Sequence, residues 1–274
     1  MDLSVPKIMG ILNVTPDSFY DGGKYDDPGK ILEKVRSMIG EGADIIDVGG
    51  MSTRPRSEPV SEKEEIERII PAIRLIREHF PGTIISVDTY RANVARIAAK
   101  DWSVEIVNDI SGGGMDKSMF DTIADLQIPY IFMHMKGSPR NMQNHIHYED
   151  IISEMLDYFA KKVALLKSLG LNDIIIDPGF GFSKSPEQNF HLLHHLNAFQ
   201  VFELPILVGI SRKSMIYKTL ETEPSESLNG TTVLNTVALL KGANILRVHD
   251  IKEAVQTITL VEKLLKAGDL QISV

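Results

Sequence analysis

Residues 45–88 read IIDVGGMSTRPRSEPVSEKEEIERIIPAIRLIREHFPGTIISVD, and they hold the unit from which the chain is built. The runs Ile45–Val48 and Ile84–Asp88 are short, β-branched and almost wholly apolar, the pattern of strands covered on both faces. Between them, Ser61–His79 opens with the capping-box signature S-E-K-E and continues with Ile66, Ile69, Ile70, Ile73 and Ile76 at helical spacing. A strand, a helix and a second buried strand imply two parallel strands joined by a crossover helix.

The unit recurs in both directions. Further strand candidates are Ile8–Asn13, Ile106–Asp109, Tyr130–Met133, Ile174–Asp177, Ile206–Gly209 and Ile245–Val248. Tyr148–Leu169 puts Ile152, Met155, Leu156, Phe159, Val163 and Leu166 on one helical face and stops at Gly170. Ser225–Lys241 and Lys252–Ala267 read likewise, the latter with Lys263 and Lys266 in its last turn, where they suit the helix dipole. Eight strands alternating with eight helices predict an α/β fold closed into a (β/α)8 TIM barrel, one domain over residues 1–274. A doubly wound open sheet is the competing arrangement, but it would often carry a GxGxxG turn after an early strand. Ser111–Gly114 (SGGG) lacks that spacing and reads as a flexible turn.

Composition narrows the function. The 274 residues are 43% hydrophobic and 24% charged, as in an ordinary globular protein. The absence of cysteine excludes disulfides, a thiolate nucleophile and cysteine-ligated metal. With neither a signal-like first segment nor a long apolar run, the chain reads as cytoplasmic. A formal charge of −8 without basic blocks argues against nucleic acid or an anionic membrane as partner. Taken alone, that charge also disfavours a small anionic substrate.

The ends of the strands point elsewhere. The apolar runs lead into Asn13, Asp47, Asp88, Asn108-Asp109, His134, Asp177, Ser211-Arg212-Lys213 and Arg247-Val248-His249-Asp250. A single polar residue there is more often a cap, but eight of eight ends imply a polar small-molecule site on the carboxyl-end face of the barrel. Asp88, Asn108 and Asp177 suit a flat heterocycle with several N–H donors. Ser52, Thr53, Arg54, Lys213, Arg247 and His249 suit a phosphate or diphosphate. Asn13 is a neutral oxygen donor of the kind Mg²⁺ accepts beside substrate phosphates.

These residues lie in strings that closely resemble the dihydropteroate synthase family. They are GILNVTPDSF (Gly10–Phe19), DVGG with STRP (Asp47–Pro55), SVDT (Ser86–Thr89), VNDISGG (Val107–Gly113), FMHM (Phe132–Met135), DPGFGF (Asp177–Phe182), GISRKS (Gly209–Ser214) and RVHD (Arg247–Asp250). They occur in the family's order across essentially the whole chain, and together they are highly specific. The resemblance implies a barrel enzyme that joins 7,8-dihydropterin-6-ylmethyl diphosphate to 4-aminobenzoate with Mg²⁺, releasing diphosphate. It implies that Asp88, Asn108, Met135, Asp177 and Lys213 hold the pterin. It also implies that Asn13, Thr53, Arg54, Arg247 and His249 hold diphosphate, with Asn13 nearest the metal. Phe182, Ser214 and Thr53 would border the aminobenzoate pocket, which the family's sulfonamide inhibitors occupy. Asp17 would support a pterin cation from a mobile loop, the STRP segment would be a second such loop, and the chain would be a homodimer.

Two departures stand out. The family usually reads GGESTRPGA, whereas Met51 replaces the glutamate and Arg56-Ser57 follow Pro55, so altered loop order or aminobenzoate affinity is expected. His191, His194 and His195, at i, i+3, i+4 spacing, read as solvated or packing residues of an outer helix, as do His145 and His147 in a polar loop. Trp102 reads as a packing residue. A corrinoid-linked methyl transferase would share the pterin groups but has no diphosphate for the STRP, SRKS and RVHD cations to meet. A pterin sensor without activity is the non-enzymatic alternative.

Overall fold

The computed structural model describes residues 2–15, 28–51 and 60–268. Asp17, Ser52, Thr53, Arg54, Arg56 and Ser57 lie outside the described residues. The strands are β1 (Lys7–Asn13), β2 (Ile45–Gly49), β3 (Ile84–Asp88), β4 (Ile106–Asp109), β5 (Tyr130–Met133), β6 (Ile174–Asp177), β7 (Leu207–Val208) and β8 (Ile245–Val248). All pair in parallel, in the order β6-β5-β4-β3-β2-β1-β8-β7. The two ends of that sheet meet through one parallel bridge, Ile176 to Ile206, and the donation of Ile176 N to Pro205 O at 3.0 Å. The result is the (β/α)8 barrel that the alternation predicts, with its seam between β6 and β7.

The helices are α1 (Pro28–Glu41), α2 (Glu62–His79), α3 (Ala92–Trp102), α4 (Met119–Leu126), α5 (Ile151–Ser168), α6 (Pro186–His194), α7 (Ser214–Tyr217), α8 (Leu228–Leu240) and α9 (Ile251–Gly268). Nine are therefore described where the sequence reading counts eight, because α7 is an extra turn of helix between β7 and α8. Ser61 caps α2 by accepting from Glu64 N at 3.2 Å; the Glu64 carboxylate pairs with Arg68. Helix α5 starts later than the predicted Tyr148, because Asp150 caps it by accepting from the N–H groups of Ile152 and Ser153 at 3.0 and 3.1 Å. Strand β7 is shorter than the predicted Ile206–Gly209, because Ile206 makes only the isolated seam bridge.

Alternation divides the core in two. Ile46, Val48, Ile85, Val87 and Val107 face outward and pack with Ile69, Ile73 and Ile76 of α2 and with the other helices. Met9, Ile45, Ile106, Ile131, Ile175, Leu207 and Ile245 point inward and form a closed apolar layer on the barrel axis. The next inward positions, two residues on, are Ile11, Asp47, Ser86, Asn108, Met133, Asp177, Gly209 and Arg247. The barrel thus changes from an apolar plug to a polar layer within one pleat.

The SGGG segment is not the flexible turn expected. Asp109 accepts from Ser111 N and Gly113 N at 2.7 Å each and from the Tyr130 hydroxyl at 2.7 Å. Gly112 has φ +55°, and a Cβ there would lie 2.4 Å from Tyr158 Oη and 2.8 Å from Met133 O. The glycines allow close packing. Gly112→Ala should lower unfolding free energy by roughly 2–4 kcal/mol in urea titrations, whereas Gly82→Ala, with no atom within 4 Å of the new methyl, should change it little.

Candidate active site

A single cation organises the polar layer. Arg247 on β8 donates from Nε to Asp47 Oδ2 at 2.7 Å and from Nη2 to Asp88 Oδ2 at 2.7 Å. Asn108 Nδ2 donates to the same Asp47 oxygen at 3.0 Å, so β2, β3, β4 and β8 are tied across the barrel. Burial opposes the charge on Arg247, but the carboxylates of Asp47 and Asp88 outweigh it and hold the guanidinium above its ordinary range. Burial, against the pull of Arg247 and reinforced by the charge of Asp47, pushes Asp88 up to about 7. Asp47 Oδ1 and the Ser86 hydroxyl, at paired positions of β2 and β3, are buried with no hydrogen-bond partner among the described residues. Orphaned acceptors in a packed interior are costly unless a ligand's donors meet them.

Opposite this group lies the turn after β6. Asp177 Oδ1 accepts from Gly179 N at 2.7 Å, and burial raises the carboxyl against the opposing charge of Lys213. Lys213, the residue before α7, donates to Phe180 O and stands 4.7 Å from the Phe182 ring centroid. Burial brings its ammonium down to about 8, while Asp177 supports it. A Cβ on Gly181, at φ +80°, would fall 2.9 Å from Lys213 Cδ, so the lysine passes where only glycine leaves room. Phe182 packs on Ile110, Met133, Met135 and Met142, which forms an apolar wall beside Lys213. Ser214 begins α7 beside Lys213.

The rim holds the remaining predicted groups. Asn13 ends β1, and a Cβ on Gly49 would come 3.6 Å from both Asn13 Oδ1 and Asp88 Oδ2, so both oxygens border this glycine. His249 is exposed, and its backbone N–H donates to Ser211 Oγ at 3.3 Å. Desolvation, and then the Arg247 charge, lowers its imidazole, so at neutral pH it is a neutral hydrogen-bonding group and not a cation.

The structure therefore brings together Asp88, Asn108, Asp177, Lys213 and Arg247, with Met135 and Phe182 on one wall and Asn13 and His249 at the rim. It adds Asp47, which the sequence reading noticed as a strand end but left outside the site. Other strand-end residues face the helices and are structural. Asp109 holds the SGGG turn, and His134 is buried against Tyr158 and Phe159 of α5. Arg212 is spent on Asp250, at 2.9 and 2.7 Å, and on the carbonyls of Pro224 and Ser225. The period of two could have separated Asn108, inward, from Asp109, outward.

Met51 lies against Arg91, whose Nη1 is 3.3 Å from the sulfur and is paired with the buried Glu65. His191 and His194 are exposed, their rings 4.6 and 4.7 Å from that of His195, and no metal-binding group of three such side chains occurs among the described residues. Trp102 packs on the core at the end of α3, as expected.

A barrel with a charged polar layer at its carboxyl end defines a class of small-molecule enzyme site, and comparison with known proteins makes the class specific. Residues 9–249 match the pterin-binding enzyme family. The dihydropteroate synthase of Escherichia coli (strain K12) is 43% identical over 271 residues, covering 98% of this chain and 95% of that one. The crystal structure of the Yersinia pestis dihydropteroate synthase with a sulfonamide drug complex superposes with a TM-score of 0.90 at 38% identity, covering 97% of this chain and 96% of that one. The Xanthomonas albilineans dihydropteroate synthase with 4-aminobenzoic acid gives 0.88 at 34% identity, covering 97% and 95%. The chain belongs to the pterin-binding enzyme family, in its dihydropteroate synthase branch.

Arg247→Met should cost about 3–5 kcal/mol of stability, because it leaves Asp47 and Asp88 buried without a counter-charge. Asp88, already raised by burial, would then stand further above its unfolded value. Stability would fall as pH rises through that window. The deficit relative to wild type should be smallest near pH 4 and grow toward pH 8, as read by urea unfolding across that range.

Proposed function

We propose that the chain condenses 7,8-dihydropterin-6-ylmethyl diphosphate with 4-aminobenzoate, giving 7,8-dihydropteroate and diphosphate. The observation that carries this reading is the polar layer itself, in which Asp47, Asp88, Asn108 and Asp177 present acceptors and an amide around one narrow space. Their number and buried setting suit the several N–H groups of a planar pterin. The orphaned Asp47 Oδ1 and Ser86 Oγ supply places for such donors. In this reading Asp177 pairs with the amino-pyrimidine edge, Asn108 and Lys213 hold ring heteroatoms, and Met135 lines the ring's apolar side. Phe182 and Ser214, with Thr53, border the arylamine, and a sulfonamide would take the same place.

Arg247, His249, Thr53, Arg54 and Asn13 are assigned to the diphosphate. Asn13 Oδ1, a hard oxygen donor at the end of β1, would hold Mg²⁺ beside the substrate phosphates. When bound by Asn13 beside the phosphates, the metal would supply positive charge to the leaving group. No other step depends on it.

The chemistry is dissociative. The bond between the pterin methylene and the diphosphate oxygen breaks first, and Arg247, Arg54 and the neutral His249 stabilise charge on the departing oxygens. The methylene cation is delocalised into the pterin ring, and the carboxylates of Asp88, Asp177 and Asp17 support it by their field. The 4-aminobenzoate nitrogen then forms the new C–N bond and loses a proton to water. A weak arylamine nucleophile needs positioning more than a strong base, which the apolar wall of Phe182 and Met135 provides.

The acidic, cysteine-free composition supports a cytoplasmic location. Self-association as a homodimer is supported by Val233 and Leu240 of α8 and Leu260, Leu264 and Leu265 of α9, all exposed on helices that pack side by side.

Purified protein supplied with both substrates and Mg²⁺ should release diphosphate and form dihydropteroate, and Asp177→Asn should lower kcat/KM for the pterin diphosphate by about 100-fold or more. EDTA should abolish turnover and added Mg²⁺ restore it. No diphosphate release by wild type, or an unimpaired Asp177→Asn, would overturn the reading.

A further inference from the structure

Lys184 is buried, only 3% exposed, and no carboxylate pairs with it among the described residues. An ammonium without a counter-ion is rare in a protein interior and persists only if its hydrogens are used. Here they are directed at one loop. Lys184 Nζ stands 3.0 Å from Gly179 O, 3.0 Å from Phe182 O, 3.4 Å from His134 O and 3.2 Å from His134 Nδ1. Since the ammonium can only donate, Nδ1 is the acceptor and His134 carries its proton on Nε2. Burial, and then the charge of Lys184, drives His134 down to about 2, which keeps that imidazole neutral.

From the other side, Lys213 donates to Phe180 O. The carbonyls of Gly179, Phe180 and Phe182 are thus turned toward two ammonium groups that grip the loop between them. Gly179 occupies φ +72°, and a Cβ there would lie 2.2 Å from His134 O, so the loop can press against β5 only as glycine. The same Gly179 gives its N–H to Asp177 at 2.7 Å. Lys184 and Lys213 therefore hold different carbonyls of the same turn whose Gly179 N–H orients Asp177.

We propose that Lys184 is a positioning residue for Asp177 and Phe182: it anchors the turn after β6 through the carbonyls of Gly179 and Phe182, and its ammonium form favours the ionised Asp177 carboxylate for the pterin. The proposal rests on the dihydropteroate synthase reading of this site. The groups facing Asp177 are Lys213 from α7, Arg247 from β8 and Lys184 from its own loop. Those facing Lys184 are Asp177, Lys213, His134 and Lys136, the last already paired with Glu154 at 2.7 Å. Burial lowers Lys184 to about 7, and Asp177 opposes that shift. Removing the Lys184 charge should therefore raise Asp177, leaving more of it protonated and unable to accept from the pterin.

The test uses the full chain with Lys184→Met and Lys184→Gln. The glutamine keeps two N–H donors for the carbonyls but no charge, which provides a folded comparison if methionine loosens the loop. Asp177 is followed directly by ¹³C NMR of its carboxylate, assigned by the signal lost in Asp177→Asn, so that Asp88 does not obscure it. Both variants should titrate Asp177 higher than wild type and show a severalfold higher KM for the pterin diphosphate near pH 6, with a smaller change in kcat. Only Lys184→Met should also raise KM for 4-aminobenzoate, because it frees Phe182. An unmoved Asp177 titration with unchanged KM values in Lys184→Gln overturns the proposal, even if melting temperature falls. A wild-type protein that does not turn over the two substrates overturns the functional reading instead, and the Asp177 titration still decides the role of Lys184.

Discussion

Closing eight parallel strands into a small barrel leaves room on the axis for one side chain from every second residue, and in this chain that constraint meets charge. The inward positions of one layer are apolar, those of the next include Asp47 and Asp177, and Asp88, one pleat further along β3, joins them in a space with little water. Arg247 makes this tolerable. Its fork reaches two carboxylates on neighbouring strands, and a lysine, a point charge on a flexible stem, could not hold both in fixed directions. Asn108 then takes its orientation from Asp47, and the open side of the layer is left for a ligand.

The charges of the site nearly cancel. Asp47, Asp88 and Asp177 face Arg247, Lys213 and Lys184, and His249 is neutral at ordinary pH. A cancelled set can hold a neutral heterocycle with directed hydrogen bonds without a strong net field. It also explains how a chain of formal charge −8 can serve an anionic substrate, since the acidic surplus lies on outer helices such as α2, with Glu62, Glu64 and Glu65 in its first turn. Net charge describes what the surface repels at long range, where salt screens it. The site works at contact distance.

Much of this was legible beforehand. The strand positions, the parallel alternation and the carboxyl-end gathering of Asp88, Asn108, Asp177, Lys213 and Arg247 follow from short apolar runs that each end in polar residues. What was not legible was the direction in which each polar residue points. Asn108 and Asp109 are neighbours of similar size, yet one belongs to the site and the other holds the SGGG turn, because the pleat sends them to opposite faces. His134 and Arg212 read as equally available to a ligand, but the first is locked among aromatic rings and the second is used by Asp250 and two carbonyls.

By itself the sequence determined the element order, the number of repeats, the cysteine-free chemistry and the family motifs. Each of these is written in local spacing, and local spacing survives in one dimension. Tertiary structure alone decided that Asp47 belongs to the site, that Arg247 is shared between two carboxylates, and that two lysines clamp one glycine-rich turn from opposite sides. These depend on residues 50 to 200 positions apart being brought within hydrogen-bond range by barrel closure, and no periodicity along the chain records which of them will meet.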